Sequence, residues 1–342
     1  MNEAGQIVRL QPGAAIPGGE VSIECEGFSA HDYQSCGAWF DEARGRLVGA
    51  SSHRVLALVP NEDVSGEVSV TIGCGDGARS DAARLIVGAQ LIEDIHMVAN
   101  PAVDPDDGSI YVTRSGSRGQ RAPVSLFRLN GVGSVTDVTG EIVNPTGLAF
   151  DHSGQLFVSS RMDGTIYRLT QFNEPVAFAH NLGVATGLAF DRAGQLYVGD
   201  RTGTIYRINE IGEAEEWASV EQSVAAYHLA FGPDDALYVT GPTVSSYDSI
   251  TRIDKFGRRS PFFKGLGRPG GLAFDEDGNL YVAASYQGRR GIVQITPDGQ
   301  HAELFVAGMN VIGLAFNADG EMIVATNEAV FSLPLGIRGT LV

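Results

Sequence analysis

His228 occupies the position in this chain that most invites chemistry. It stands in Tyr227-His-Leu-Ala-Phe-Gly232, one version of a phrase that elsewhere carries Gly147, Gly187, Gly271 or Gly313 at the same place. An imidazole there is a group that titrates near neutral pH, set where the pattern calls for the smallest residue. With Asp200 as an acidic partner, His228 would act as a general base. A second set of residues suggests binding instead. Arg161, Arg201, Arg268 and Arg289 fall in loops of three copies of the phrase, joined by Arg114, Arg118 and Arg121 from another. Guanidinium forks converging on one axis hold carboxylates or phosphates in bidentate fashion. Tyr227, His228 and Tyr286 would form the stacking and hydrogen-bonding floor. This reading expects an anionic small molecule, a glycan or a protein as partner, and no cofactor.

These residues need a scaffold, and the repeated phrase supplies one. Its five versions, Thr146-Gly-Leu-Ala-Phe-Asp151, Thr186-Gly-Leu-Ala-Phe-Asp191, the His228 copy, Gly270-Gly-Leu-Ala-Phe-Asp275 and Ile312-Gly-Leu-Ala-Phe-Asn317, recur at steps of 40, 41, 43 and 42 residues. Each continues through a turn to a second alternating run such as Gln195-Leu-Tyr-Val-Gly199, then a third such as Thr204-Ile-Tyr-Arg207, and a weaker fourth. Four short strands at a period near 40 residues are one blade of a β-propeller. Asn100-Pro-Ala-Val-Asp104 followed by Ser109-Ile-Tyr-Val112 adds a degenerate sixth copy, so six blades are expected over residues 89–342. Leu91–Ile95 or Gly336–Leu341 would supply the closing strand. The loops entering the first strand of each blade gather on one face around the axis, which places the arginines and His228 at the channel mouth. Asp151, Asp191 and Asp275 end their strands on the opposite face, where Asp bonds the backbone amides of tight turns.

Residues 1–88 lack the repeat. Short alternating runs such as Glu20-Val-Ser-Ile-Glu24, Arg54-Val-Leu-Ala-Leu-Val59 and Gly66-Glu-Val-Ser-Val-Thr-Ile72, with turn signals between them, predict a small antiparallel β-sandwich. The whole chain is therefore expected to be all-β. Cys25, Cys36 and Cys74 all fall in this segment without metal-ligand spacing and are expected as free thiols, although one pair could bridge in an oxidising compartment. The amino terminus has no charged-then-apolar leader pattern, giving a cytoplasmic expectation.

Composition removes other classes. A formal net charge of −17 opposes a sequence-independent grip on nucleic acid, and no apolar run approaches a membrane span. No G-x-S-x-G, H-E-x-x-H, P-loop or dinucleotide fingerprint occurs.

Through Pro145-Thr-Gly-Leu-Ala-Phe-Asp151, Gly154-Gln-Leu-Phe-Val158, Gly278-Asn-Leu-Tyr-Val282 and Thr204-Ile-Tyr-Arg-Ile208, the repeat region resembles the NHL and SMP-30/gluconolactonase superfamily of six-bladed propellers. Through Ala15-Ile-Pro-Gly-Gly-Glu-Val-Ser-Ile23, Glu26-Gly-Phe28 and Gly66-Glu-Val-Ser-Val70, the first segment resembles the IPT/TIG family of immunoglobulin-like domains, which implies an immunoglobulin-like β-sandwich over residues 1–88. The propeller resemblance implies a lactone hydrolase or, as in virginiamycin B lyases, a lyase. Its lactonases hold one divalent cation, such as Ca or Zn, at the channel mouth with Glu, Asn and Asp. The corresponding positions here are Ala99, Thr146, Thr186, Tyr227, Gly270 and Ile312, none a carboxylate or an amide, so no metal site is expected.

Overall fold

The computed structural model describes residues 5–29, 35–62, 64–75, 79–115, 122–130, 134–245 and 247–340. Arg118 and Arg121 lie outside them. The described chain is all-β, and its repeats form a β-propeller. Five four-stranded antiparallel sheets stand as separate blades, spanning residues 102–139, 145–179, 185–219, 228–266 and, for the last, 311–334 together with Ala89–Ile92. Ala89–Ile92 pairs with Val330–Pro334, so the strand that closes the ring comes from the amino-terminal side of the repeats.

The expected turn chemistry holds each repeat. Asp151 Oδ1 accepts the amides of Ser153 and Gln155 at 2.8 and 2.9 Å, and Asp191 Oδ1 accepts those of Ala193 and Gln195 at 2.9 Å. Neighbouring repeats are joined by one recurring contact. The aromatic of each second strand meets the phenylalanine of the next phrase edge to face: Tyr111 with Phe150, Phe157 with Phe190, Tyr197 with Phe231, Tyr238 with Phe274 and Tyr281 with Phe316, at centroid distances of 4.8 to 5.6 Å. Each such pair adds about 0.5–1.5 kcal/mol beyond the area it buries.

The strands Leu272–Phe274, Leu280–Tyr286, Arg289–Ile295 and Ala302–Ala307 pair in the same antiparallel order but do not form a separate sheet. Ala14–Ala15 pairs in parallel with Ala302–Ala307 on one side and with Ala83–Val87 on the other. Twelve strands thus run as one sheet from Gln6–Gln11 to Leu272–Phe274. The structure therefore has five freestanding blades where six were expected, and the expected freestanding sandwich over residues 1–88 is not separate, because its strands continue into this sheet. The amino-terminal strands do enclose apolar residues of their own, among them Phe28, Phe40, Ile72 and Leu85.

Cys36 and Cys74 face each other across adjacent strands and are disulfide-bonded, which corrects the expectation of three free thiols; Cys25 stays free and buried. The sequence separation of 38 concealed a direct register pair.

Candidate functional site

On the channel-mouth face, the strands beginning at His228, Leu272 and Val311 leave a cleft of about 360 Å³ between them. His228, Arg268, Ser285, Arg290 and Asn310 supply its polar lining, with Val98, Pro242 and Ile312 among its apolar walls. Among the described residues no carboxylate lines it.

His228 opens its strand and is buried. Burial alone pushes its pKa down to about 4, so the imidazole is neutral at physiological pH. No hydrogen bond or ion pair joins it to Asp200 among the described residues. The Asp200 carboxylate instead accepts the amide of Val184 at 2.8 Å and bonds both the amide and the hydroxyl of Thr202. The pair named from the sequence is therefore not assembled as a base and its orienter, because Asp200 serves the loop of its own blade.

Arg268 enters the cleft from a backbone with φ of +50°. Asn144 and Asn310, three residues before their own phrase glycines, hold φ of 49° and 55° at the same point of their copies. Asn tolerates the left-handed region; Arg pays about 1 kcal/mol or more for it.

Arg289 and Tyr286 do not reach the cleft. Tyr286 and Arg289 form the last pair of a hairpin whose turn is Gln287-Gly288, and the pair behind it is Ser285 with Arg290. Opposed residues share a face and successive ones alternate, so the hairpin presents Ser285 and Arg290 to the cleft and turns the other pair away. Tyr286 packs near Phe263, with ring centroids 6.0 Å apart, and Arg289 bonds the carbonyls of Gln11 and Glu20. Counting out from the two-residue Gln-Gly turn pairs Ser285 with Arg290 in the sequence, but packing decides which pair faces the cleft.

Tyr227 is core rather than floor. It is 3% exposed, its hydroxyl donates to the Glu221 carbonyl, and its amide donates to Thr186 Oγ1 at 3.0 Å. Burial pushes its phenol up to about 12. Arg161 and Arg201 lie on the same face in the preceding blades. Arg161 is half-buried, and burial together with the charge of Arg201 lowers its pKa.

The ion pairs of the described residues go to other arginines, such as Arg192 with Asp235 at 3.2 Å, Arg252 with Asp234 at 2.6 Å and Arg258 with Asp254 at 2.7 Å. Arg161, Arg201, Arg268 and Arg290 make none with a described residue.

The positions that would carry a lactonase cation do not fit one. Thr186 Oγ1 is taken up by the Gly199 carbonyl at 3.1 Å and the Tyr227 amide, while Thr146 Oγ1 faces the Asn144 carbonyl. No group of three His, Cys, Asp or Glu suited to a metal occurs among the described residues.

A family model described as WD domain, G-beta repeat matches residues 133–167, about the length of one blade. No curated protein sequence matches the chain. Among solved structures, an auxiliary nutrient binding protein from Bacteroides ovatus ATCC 8483 is similar at 16% identity and a TM-score of 0.54, covering 97% of this chain and 98% of its own. A gluconolactonase from Xanthomonas campestris is similar at 17% identity and a TM-score of 0.61, covering 78% and 90%. Virginiamycin B lyase from Staphylococcus aureus is similar at 16% identity and a TM-score of 0.52, covering 72% and 97%. These likenesses establish a shared fold. The chain is a β-propeller protein. At such identities the propeller carries no activity with it, and the site must be read from its own residues.

Proposed function

We propose that this propeller is a binding protein whose channel-mouth cleft takes an anionic group, carried by a small molecule, a glycan or a protein segment. The observation that carries the reading is the pairing of Arg268 and Arg290 around a cleft whose described lining has no carboxylate, in a chain of net charge −17. Arg268 and Arg290 pair with no described carboxylate and stand together in a concave site, where an anion from outside would complete them. His228 would add a neutral donor or acceptor to the same ligand.

The nutrient binding neighbour covers the amino-terminal strands as well as the propeller, whereas the gluconolactonase and the lyase cover about three quarters of the chain. The two-part architecture thus has a counterpart in a binding protein, as the reading requires. In this reading residues 1–88 are an IPT/TIG-like sandwich, residues 89–342 are an NHL/SMP-30-like propeller, and the strands within 272–307 are its sixth blade, since Tyr238–Phe274 and Tyr281–Phe316 repeat the contact that joins the others. The Cys36–Cys74 disulfide favours an oxidising compartment over the cytoplasm.

Isothermal titration of the full chain with citrate, D-glucuronate and sulfate tests the cleft. Arg290→Gln should raise the Kd of any bound anion about tenfold, a loss of about 1.4 kcal/mol. Binding that ignores Arg290→Gln and Arg268→Asn alike, or no anion binding at all, overturns the reading.

A further inference from the structure

We propose that the amino-terminal strands are a working part of this cleft: through Arg289 they hold the 286–291 hairpin, and with it Arg290, in the position that binds an anion. Arg289 is then a positioning residue. The inference rests on the reading of the cleft as an anion site, and adds to it a role for residues 11–20.

Two separate paths run from those residues to one cleft wall. In the first, Arg289 Nη2 donates to the carbonyl of Gln11 and to that of Glu20, each at 2.9 Å, and Arg290 follows directly into the cleft lining. The guanidinium is half-buried; its Nε has no partner, so the two carbonyls are the contacts that hold it. In the second, Ala14 and Ala15 pair with Val306 and Ala307, and the amide of Ile16 donates to the Ala307 carbonyl at 2.9 Å. Gly308 comes next, lines the cleft, and donates its amide to the Arg290 carbonyl at 3.1 Å. Both paths end on Arg290.

The hairpin needs such support. Its tip is the Gln287-Gly288 turn, exposed to solvent, and Arg290 is itself exposed with no ion pair to a described residue. A charged side chain on a projecting two-stranded tip samples many positions, and ordering it at the moment of binding costs affinity. Fixing the backbone on either side beforehand removes part of that cost.

The closeness of the junction provides a second handle. At Gly19 a Cβ would lie 2.4 Å from the carbonyl oxygen of Ala307 and 2.8 Å from its carbon. Backbone cannot yield as a side-chain tip would, so Gly19→Ala pushes the two segments apart without touching Arg289 or the cleft.

The test compares full-length wild type, Arg289→Gln, Arg289→Lys and Gly19→Ala by citrate titration and hydrogen exchange. Arg289→Gln and Gly19→Ala should each weaken citrate at least fivefold and speed exchange in residues 286–292 and 304–310, with residues 156–169 unchanged. Arg289→Lys, whose ammonium can still donate to both carbonyls, should stay near wild type. If exchange rises only in residues 11–20 and citrate affinity is untouched in both variants, Arg289 merely staples the amino-terminal strands and the inference falls. If wild type binds no citrate, the cleft reading fails by itself; exchange then decides the clamp, upheld by faster exchange in 304–310 and overturned by none. Should Gly19→Ala not fold, the contrast between Arg289→Gln and Arg289→Lys carries the decision.

Discussion

Asn100 bonds the inner strand of another repeat at Leu272, its Nδ2 donating to the Leu272 carbonyl at 3.2 Å over a separation of 172 residues. Its Oδ1 accepts the Leu314 amide at 3.2 Å, so one side chain ties together two inner strands of other repeats. A Cβ on Gly271 would fall 1.6 Å from that oxygen, and one on Gly313 would fall 2.3 Å from it. The phrase glycines at these two places make room for Asn100. Asn100→Ala should cost roughly 2–3 kcal/mol, because a carbonyl and an amide at the ring's centre lose their partner. Gly271→Ala should cost at least as much, and the two losses should not add. Urea unfolding of both single variants and the double variant measures the coupling; simple additivity would refute the link.

His228 makes stability depend on pH in a defined direction. Its folded pKa of about 4 lies below the ordinary value near 6.5, so between these the unfolded chain binds a proton that the folded chain does not. Stability attributable to this residue is intact above pH 6.5, falls as the pH drops through the window, and levels off below 4. The loss is up to about 3 kcal/mol. His228→Gly restores the residue used by the other copies and should remove this component, so the variant gains on wild type as the solution is acidified. Urea unfolding at pH 7 and pH 4.5 would show it; a constant difference between the two proteins would count against a buried neutral imidazole.

The same proton should couple to the ligand. An anion in the cleft favours the imidazolium, so sulfate, which keeps its charge in this range, should bind more tightly as the pH falls from 6.5 towards 4.5. His228→Gly should make sulfate affinity independent of pH over that interval, and titration calorimetry at three pH values would reveal any contrary trend.

Arg268 trades stability for its position. Arg268→Asn places at φ +50° a residue that accepts the left-handed conformation, as Asn144 and Asn310 do in their copies. The variant should be more stable than wild type by about 0.5–1 kcal/mol while binding citrate less tightly. Melting temperature and Kd should therefore move in opposite senses; a variant that is destabilised would show that Arg268 makes stabilising contacts instead.

The Cys36–Cys74 bond closes a separation of 38 residues. By the loop-entropy argument its removal costs the amino-terminal strands about 4 kcal/mol. Hydrogen exchange with and without reductant should show faster exchange in Cys36–Phe40 and Gly66–Cys74, with the blade 185–219 unaffected. Equal protection in both states would mean the packing around Phe40 and Ile72 suffices alone.

Much of the fold was legible because its signals are local. The phrase around Gly147, Gly187, Gly271 and Gly313, its strand alternation and its Asp turns all act within about six residues, so their spacing exposes the blades. The site was legible only in part. His228 was found as a break in a pattern and does line the cleft, and Arg268 was found as an entry residue and does so too. Tyr227 and Arg289 were misplaced, because composition and loop position do not report which face of a strand a side chain takes. One residue of register separates Arg289 from Arg290, and that register is set by the Gln287-Gly288 turn and by what packs on either side.

By itself, then, the sequence determined the repeating unit, its all-β character, the face on which the entry loops gather and the residue that departs from the pattern. Each is written in contacts between near neighbours in the chain. The tertiary structure alone decided that Ala89–Ile92 closes the ring, that Cys36 meets Cys74, that Ala14–Ala15 fuses the amino-terminal strands to the repeats, and that Arg290 rather than Arg289 faces the cleft. The Arg289–Gln11 contact spans 278 residues. Contacts of that range arise from how whole sheets pack, and no local spacing encodes them.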